Sequence, residues 1–279
     1  MLAAEVGGLG YAEELLALFD RCINKGLVQE ALGPLRVGVD LGTADVVTAV
    51  LDETGCPVAG EMTVAKVVRE GVVINYLGAV EIVRAHVLSL KEKLGREIKL
   101  AAAAVPPGTS DGNARVTQNI LEAAGLETVA IVSEPSAAAL ALGIHSGAVV
   151  DIGGGTTGVS ILENGKVVYT ADEPTGGTHV DLVLAGNFGI STEAAELLKC
   201  DLAKQRDLLP VVQPVFEKMA TIVRQHIAGW RVPQVYLAGG TSTFFGLKEV
   251  MAAELQLPVH LPSIPIFVTP LGIAMACKG

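Results

Sequence analysis

Two acidic glycine turns constrain the fold of this 279-residue chain more than any other feature. They are Val39–Thr43 and Val150–Thr157, and each includes the end of a short apolar run that predicts a buried strand. A strand that ends in an aspartate and then turns through glycines brings backbone N–H groups, a hydroxyl and a carboxylate to one point. Both turns therefore predict a grip for a metal-bound polyphosphate.

The segments that follow the two turns recur in the same order. Val105–Ser110 and Leu237–Ser242 each lead from a strand toward a helix, and Glu134–Ala139 and Thr269–Ala274 each open a helix of small residues. This order predicts a duplicated α/β protein with two similar lobes. Because ligands bind at the carboxyl ends of the strands in open α/β sheets, we expect both turns to face one central cleft.

The composition narrows the classes of protein. Half of the residues are hydrophobic and 18% are charged, which is typical of a folded globular chain. The net charge of −10 argues against nucleic-acid or membrane-surface binding, because both need a basic patch. The four cysteines lie far apart, which argues against a zinc site or disulfides. No apolar run reaches the ~18 residues of a membrane span, so we expect a cytoplasmic protein.

The chain is predicted to contain an N-terminal extension, 1–33, and two lobes, 34–146 and 147–279, with the last helix, 269–279, packing back near the first lobe. Apolar residues at helical spacing between Tyr11 and Val28 predict an amphipathic helix in the extension. Flanking glycines suggest that this helix is hinged away from the folded body. Its apolar stripe could pack on the protein's own body, on a second copy or in a partner's groove.

Candidate ligands for a metal are Asp40 and Asp151, at the ends of equivalent predicted strands. Two carboxylates there would hold a hydrated Mg²⁺, which prefers one or two carboxylates, several waters and substrate phosphates. The alternative is that each aspartate only caps its turn. Gly153–Gly155 lack a Cβ, so they would admit a phosphate closely and adopt positive φ angles. Thr43, Thr156 and Thr157 would add hydroxyl donors.

Two further segments are candidates for the same site. Gly239, Gly240 and Thr241 follow a predicted strand and precede a helix expected near Phe244, whose positive end would attract an anion. Glu134, at a helix start, would orient a water for attack on phosphorus. The alternatives are a plain turn and a carboxylate that only caps a helix. His179 is predicted to have a helix-start role.

Five segments together resemble the nucleotide-site segments of the actin-like ATPase superfamily, which includes DnaK-type chaperones, MreB and PilM. The segments are Val37–Thr43, Glu134–Ala139, Val149–Thr157, Leu237–Ser242 and Pro270–Ala274. The resemblance implies an α/β fold of duplicated ribonuclease-H-like lobes around a central nucleotide cleft. It also implies a much reduced subdomain in the second lobe, because the stretch from Gly189 to Pro210 is short.

Within this superfamily the chain most resembles the EutJ family of ethanolamine utilisation. The segments that carry this resemblance are Asp45–Val47, Asp151–Gly158, Ala171–Gly177 and Tyr236–Thr241. The family is described as chaperone-like. The resemblance implies ATP or ADP with Mg²⁺ as ligands, and ethanolamine ammonia-lyase or components of a bacterial microcompartment as protein partners.

The resemblance also implies roles for individual residues. Glu134, Asp151 and Thr157 would be catalytic, and Asp40 and Asp151 would hold the metal through water. The nucleotide would be bound by Asp40, Gly42, Thr43, Gly153, Gly154, Gly155, Thr156, Gly239, Gly240 and Thr241.

One departure from the chaperone pattern bears on activity. Gly158 stands where DnaK-type chaperones have an aspartate, so we expect a weak ATPase or nucleotide binding without hydrolysis. The alternatives to a chaperone-like role are a small-molecule kinase of the same fold and a non-hydrolysing, nucleotide-dependent scaffold or filament protein.

Overall fold

A computed structural model describes residues 9–69 and 71–278, which form two compact units. Unit 1 is built from the chain up to Ile144 together with the segment from Phe267 onward, and unit 2 comprises His145–Ile266. The lobe boundaries expected from the sequence stay a prediction. No helix of the described residues is long and apolar enough to cross a membrane.

Unit 1 begins with a helix and five strands, after which helices and strands alternate. Its elements are α1 (Leu9–Asn24), β1 (Arg36–Leu41), β2 (Asp45–Leu51), β3 (Pro57–Val64), β4 (Val68–Arg69), β5 (Val72–Val73), α2 (Tyr76–Leu94), β6 (Leu100–Val105), α3 (Asp111–Ala123), β7 (Glu127–Ser133) and α4 (Glu134–Leu142). The main sheet has the order β3-β2-β1-β6-β7, with β1, β2 and β3 antiparallel and β1, β6 and β7 parallel. Aliphatic residues from β1, β2 and α2 form its core.

Unit 2 repeats this plan. Its elements are β8 (Gly147–Ile152), β9 (Thr157–Glu163), β10 (Lys166–Glu173), α5 (Gly177–Phe188), α6 (Thr192–Cys200), α7 (Gln205–Ile227), β11 (Val235–Ala238), α8 (Leu247–Leu255) and β12 (Val259–His260). The strand order β10-β9-β8-β11-β12 matches that of unit 1, with the same antiparallel and parallel pairs. The predicted internal duplication is therefore confirmed.

The last helix, α9 (Val268–Ala276), packs in unit 1 against α4 and β1. A Cβ added at Gly272 would lie 1.8 Å from the carbonyl oxygen of Ala137, and one added at Gly38 would lie 2.3 Å from the amide nitrogen of Ala274. Real side-chain atoms do not approach backbone so closely, which explains the small residues on both helices. The helices α4 and α9 therefore pack closely on each other.

The N-terminal helix α1 packs against the sheet of unit 1. Phe19 is fully buried, and a Cβ at Gly60 of β3 would lie 2.5 Å from its ring. Further along, the N–H of Gln29 donates to the carbonyl of Val58 at 2.9 Å. The expectation of a helix hinged away from the body is wrong, because its apolar stripe is covered by β3. Of the three uses open to the stripe, the structure shows packing on the protein's own body.

Candidate functional site

Both acidic glycine turns connect antiparallel strands in the same way. In unit 1, the pair Leu41 and Val46 closes the turn 42–45, and in unit 2 the pair Ile152 and Thr157 closes the turn 153–156. Asp40 and Asp151 each precede the last residue of their strand. The predicted placement of both aspartates at strand ends is therefore confirmed.

The turn of unit 2 is held by two other segments of the same unit. The N–H of Gly177 donates to the carbonyl of Gly153 at 3.0 Å, and the N–H of Thr178 donates to that of Gly154 at 2.8 Å. The hydroxyl of Thr241 also donates to the carbonyl of Gly153, at 2.8 Å. Segments 153–156, 176–178 and 239–241 thus meet at the carboxyl end of β8. We call this cluster the glycine site.

These bonds orient the peptide groups of the turn. In a trans peptide the N–H points opposite to the carbonyl that precedes it. Because the carbonyls of Gly153 and Gly154 point toward the start of α5, the N–H groups of Gly154 and Gly155 point away from it. Consecutive N–H groups on one side of a turn form an anion-binding concavity. The glycine site therefore presents donors suited to a phosphate.

Glycine is required at residue 239 by its backbone. Gly239 has φ +83°, and a Cβ there would lie 2.4 Å from both Oδ1 of Asp151 and the carbonyl oxygen of Ile152. The end of β11 thus approaches the end of β8 as closely as a glycine allows. Gly153, Gly154 and Gly155, in contrast, do not have positive φ angles, so this prediction is wrong. The N–H of Gly153 closes the turn onto the carbonyl of Thr156 at 3.0 Å.

The helix expected near Phe244 does not begin there. Gly240–Thr243 form a 3₁₀ turn, and α8 begins only at Leu247, after Gly246. Gly239 and Gly240 therefore do not lead into an α-helix N-terminus, and this prediction is wrong. The helix that begins at the glycine site is α5, from Gly177.

His179 lies in the first turn of α5. Its ring Nδ1 accepts from the N–H of Gly176 at 3.3 Å, which confirms the predicted helix-start role. Thr157 has a fully buried side chain whose hydroxyl donates to the carbonyl of Thr175. Glu134 begins α4 after the N-cap residue Ser133. The catalytic roles of Thr157 and Glu134 stay predictions.

In the turn of unit 1, the carbonyl of Ala44 accepts from the N–H of Ala65 at 3.1 Å, and one acid, Asp45, is half-buried. A Cβ at Gly42 would lie 2.9 Å from the carbonyl oxygen of Asp45, so this turn is closed tightly on itself. Burial raises the pKa of Asp45 to about 6. The contributions of Asp40, Gly42 and Thr43 to a bound nucleotide stay predictions.

Asp172 is an acidic residue of the glycine site that the sequence did not indicate. Burial raises its pKa to about 6, and the negative charges of Asp151 and Glu173 also raise it. A side-chain hydrogen bond with Thr156 lowers it. Asp151 itself is only 7% exposed. Asp151 of β8 and Asp172 of β10 thus place two carboxyl groups at the same end of the sheet.

Lys199 is a second charged residue whose contacts near the glycine site were not predicted from the sequence. Its Nζ lies 2.8 Å from Oδ1 and 2.9 Å from Oδ2 of Asp181, and 3.4 Å from the carbonyl oxygen of Gly177. The side chains of Lys199 and Asp181 are 15% and 9% exposed. This ion pair joins α6 to the first turns of α5 and brings a cation to the glycine site.

The donor set fits a hydrated magnesium ion better than a fully protein-bound metal. Among the described residues, no group of three or more His, Cys, Asp or Glu side chains is arranged to hold a metal. Magnesium keeps most of its waters and needs one or two carboxylates besides phosphate. Oδ1 of Asp172 is buried and has no hydrogen-bond partner within the described part of the chain, so an acceptor is available beside Asp151.

Comparison with known proteins identifies the family. A model of the family described as Hsp70 protein matches residues 79–221. The ethanolamine utilization protein EutJ of Escherichia coli (strain K12) is 48% identical over 86% of this chain and 85% of its own length. The crystal structure of EutJ from Carboxydothermus hydrogenoformans is 47% identical and superposes with a TM-score of 0.90 over 96% of this chain and 99% of that chain.

A more distant structure has the same fold. MreB 5 of Spiroplasma citri bound to AMPPNP is 18% identical, with a TM-score of 0.66 over 86% of this chain and 95% of that chain. The predicted actin-like ATPase fold and the resemblance to EutJ are thereby confirmed. The chain belongs to the EutJ family of ethanolamine utilization proteins, which has the actin-like ATPase fold.

Proposed function

We propose that this protein is a nucleotide-binding, chaperone-like accessory protein of ethanolamine utilisation. In this proposal it uses Mg-ATP to assist or reactivate ethanolamine ammonia-lyase, or to assist microcompartment assembly. Family membership supports the pathway. The observation that carries nucleotide binding is the orientation of the glycine site, whose Gly153 and Gly154 carbonyls are tied to α5 and Thr241 so that the next N–H groups face the other way.

Each part of the glycine site has a chemical role in this proposal. The N–H groups of Gly154 and Gly155 donate to phosphate oxygens on the side of the turn that faces away from α5. Asp151 accepts from the water shell of magnesium, which neutralises phosphate charge when it is bound. Lys199 adds a positive charge near Gly177. Asp40, Gly42, Thr43 and Glu134 have in unit 1 the roles that the resemblance implies.

Nucleotide would control the partner by a shift between conformations. A ligand changes such an equilibrium only if it binds the two states with different affinities. The protein should therefore bind its partner differently with and without Mg-ATP. In this proposal the partner is either ethanolamine ammonia-lyase or a shell component of the microcompartment.

Calorimetric titration tests nucleotide binding. We expect the wild type to bind ADP and ATP with Mg²⁺, and Asp151→Asn to bind at least about tenfold more weakly, because an amide accepts fewer hydrogen bonds from the metal's waters. The matched control is Asp207→Asn, at an exposed residue in the first turn of α7. No binding by the wild type would contradict the proposal, and so would equal losses in both variants.

A second titration tests the accessory role. Purified ethanolamine ammonia-lyase would be titrated with the protein in the absence of nucleotide, with Mg-ADP and with Mg-ATP. We expect its affinity to differ between the nucleotide states. Equal affinity in all three would remove the lyase as a nucleotide-controlled partner, and the same comparison would then be made with shell proteins.

Binding without hydrolysis is the second candidate, as a nucleotide-dependent scaffold. Gly158 favours it, since this residue brings no carboxylate to β9, and so does Thr157, whose hydroxyl already donates to Thr175. Phosphate release separates the two candidates. A scaffold would show nucleotide-dependent light scattering with no phosphate release, whereas an ATPase would release phosphate at a rate that its partner changes.

A further inference from the structure

Three neighbouring strands of unit 2 align two aspartates on either side of a glycine. In the strand register, Gly158 of β9 lies opposite Asp151 of β8 on one side and opposite Asp172 of β10 on the other. Residues directly opposite each other across a sheet have their side chains on the same face. The two Cα atoms are about 10 Å apart, at twice the spacing of strands. Since Gly158 has no side chain, no side chain of β9 separates the two carboxyl groups on that face.

A β-bulge produces this register. The pairing of β9 with β10 shifts by one residue between Val167 and Tyr169. Without the shift, Ala171 would lie opposite Gly158, and Asp172 would point to the other face. The bulge therefore places a carboxyl group on the face of the sheet that carries Asp151.

Asp172 is bound on one side and lacks a partner on the other. A side-chain hydrogen bond with Thr156, in the turn of the glycine site, lowers the pKa of its carboxyl group, against the burial that raises it. Its Oδ1 is buried and has no hydrogen-bond partner among residues 9–69 and 71–278. A buried acceptor without a partner costs about 1–3 kcal/mol, and such groups in native proteins commonly face a water or an ion. Asp172 thus has a free acceptor next to the predicted metal residue.

We propose that Asp172 supplies from β10 the carboxylate that Gly158 does not supply from β9, and that together with Asp151 it positions the hydrated magnesium of the bound nucleotide. This inference rests on the proposed function. Magnesium-bound waters need acceptors, and the two carboxyl groups on either side of Gly158 supply them. Asp172 is then a positioning residue for the metal, and Gly158 does not imply the loss of a metal site.

The test is the magnesium dependence of ADP affinity. Calorimetry would give the affinity for ADP with Mg²⁺ and with EDTA, for the wild type and for Asp172→Asn. The amide keeps the shape of the side chain and can still accept from Thr156, so the fold should persist; thermal unfolding checks this. We expect magnesium to strengthen ADP binding about tenfold less in the variant, with magnesium-free affinity unchanged. Mn²⁺ binding to the ADP complex, followed by electron paramagnetic resonance, should weaken in parallel.

A restoring variant separates a metal role from a structural role. Gly158→Asp combined with Asp172→Asn returns one carboxylate to the same face of the sheet, and we expect it to recover the magnesium effect. Asp207→Asn is the control for loss of one negative charge. If the wild type shows a magnesium effect and Asp172→Asn shows the same effect, the inference is overturned and the proposed function stands. If the wild type does not bind ADP at all, both are overturned.

Thr156→Val is a second route to the same answer if Asp172→Asn does not fold. It removes the hydroxyl that orients Asp172 but leaves the charge in place. We expect a smaller loss of the magnesium effect than for Asp172→Asn. An unchanged magnesium effect in this variant would contradict a positioning role for Asp172.

Discussion

The matching turns of the two units share a strand register, and the residues in that register differ. In unit 1, Val47 and Met62 lie in line with Asp40 across β2 and β3. In unit 2, the equivalent line is Asp151, Gly158 and Asp172. A duplicated backbone has thus kept one acid with apolar neighbours in unit 1 and has gathered two acids around a glycine in unit 2.

The hydrogen bonds that neighbouring segments make to the two turns also differ. Carbonyls of the turn in unit 2 accept bonds from α5 and from Thr241. The turn in unit 1 accepts a bond from the N–H of Ala65 at Ala44, is closed on itself at Gly42 and holds the half-buried Asp45. The shared strand order places an aspartate at the same strand end in both units. Bonds from neighbouring segments orient the turn of unit 2 as an anion site. We expect the turn of unit 2 to depend more on its surroundings.

The largest expected effect is that of Gly239→Ala. Its methyl group would lie 2.4 Å from Oδ1 of Asp151 and from the carbonyl oxygen of Ile152. The alanine would also have to keep the φ of +83° that the glycine has. Overpacking and backbone strain together should cost about 4 kcal/mol of unfolding free energy. Urea unfolding measures this loss, and Mg-ADP titration should show that binding is lost with it.

Two glycines serve as controls for Gly239. At Gly240 the nearest atom to an added Cβ is 3.6 Å away, in the side chain of Ile266, so an alanine should cost less than about 1 kcal/mol. Gly42→Ala, in the turn of unit 1, should fall between the two at about 2 kcal/mol. If Gly42→Ala cost as much as Gly239→Ala, the contrast between the turns would not hold.

The next effect concerns the ion pair that joins α5 and α6. Lys199→Met leaves the Asp181 carboxylate buried without its cation, which should cost about 3 kcal/mol. Adding Asp181→Asn removes that charge, and the double variant should recover more than half of the loss. Lys204→Met, which breaks the exposed pair with Asp201, should cost less than about 1 kcal/mol. Thermal and urea unfolding measure whether the ion pair beside the glycine site stabilises the protein by this amount.

Sequence alone predicted the strands, the turns and the duplication, because these depend on local patterns of apolar residues and glycines. Helix starts were less accurate. The helix expected near Phe244 begins only at Leu247. The helix expected after Val105–Ser110 begins at Asp111, since the Ser110 side chain accepts from the N–H of Asn113 at 3.3 Å. A serine before an acidic residue is an N-cap signal that would have given this start.

The residues missing from the predicted site depend on contacts that local patterns do not contain. Asp172 lies opposite Gly158 only because a bulge shifts β10 by one residue, and counting from the turn would have placed Ala171 there. Lys199 meets Asp181 only through the packing of α6 on α5. Register shifts and helix packing are long-range outcomes, so a motif can locate the phosphate turn but not the charges around it.

The smallest predicted effect is a gain in stability from the turn of unit 1. Burial holds the pKa of Asp45 near 6, above its ordinary value of 3.8. Between these pH values the folded protein retains a proton that the unfolded chain loses, so this group lowers stability as pH rises from about 4 to 6. Asparagine cannot ionise, so Asp45→Asn should match the wild type near pH 4 and exceed it in unfolding free energy by about 2 kcal/mol at pH 7.

The measurement is the difference in unfolding free energy between variant and wild type, followed from pH 4 to 7. Taking this difference cancels the contribution of Asp172 in the same range. Asp111→Asn, at an exposed residue of unit 1, should show no such pH-dependent gain. A constant difference across the range would mean that burial does not raise the pKa of Asp45.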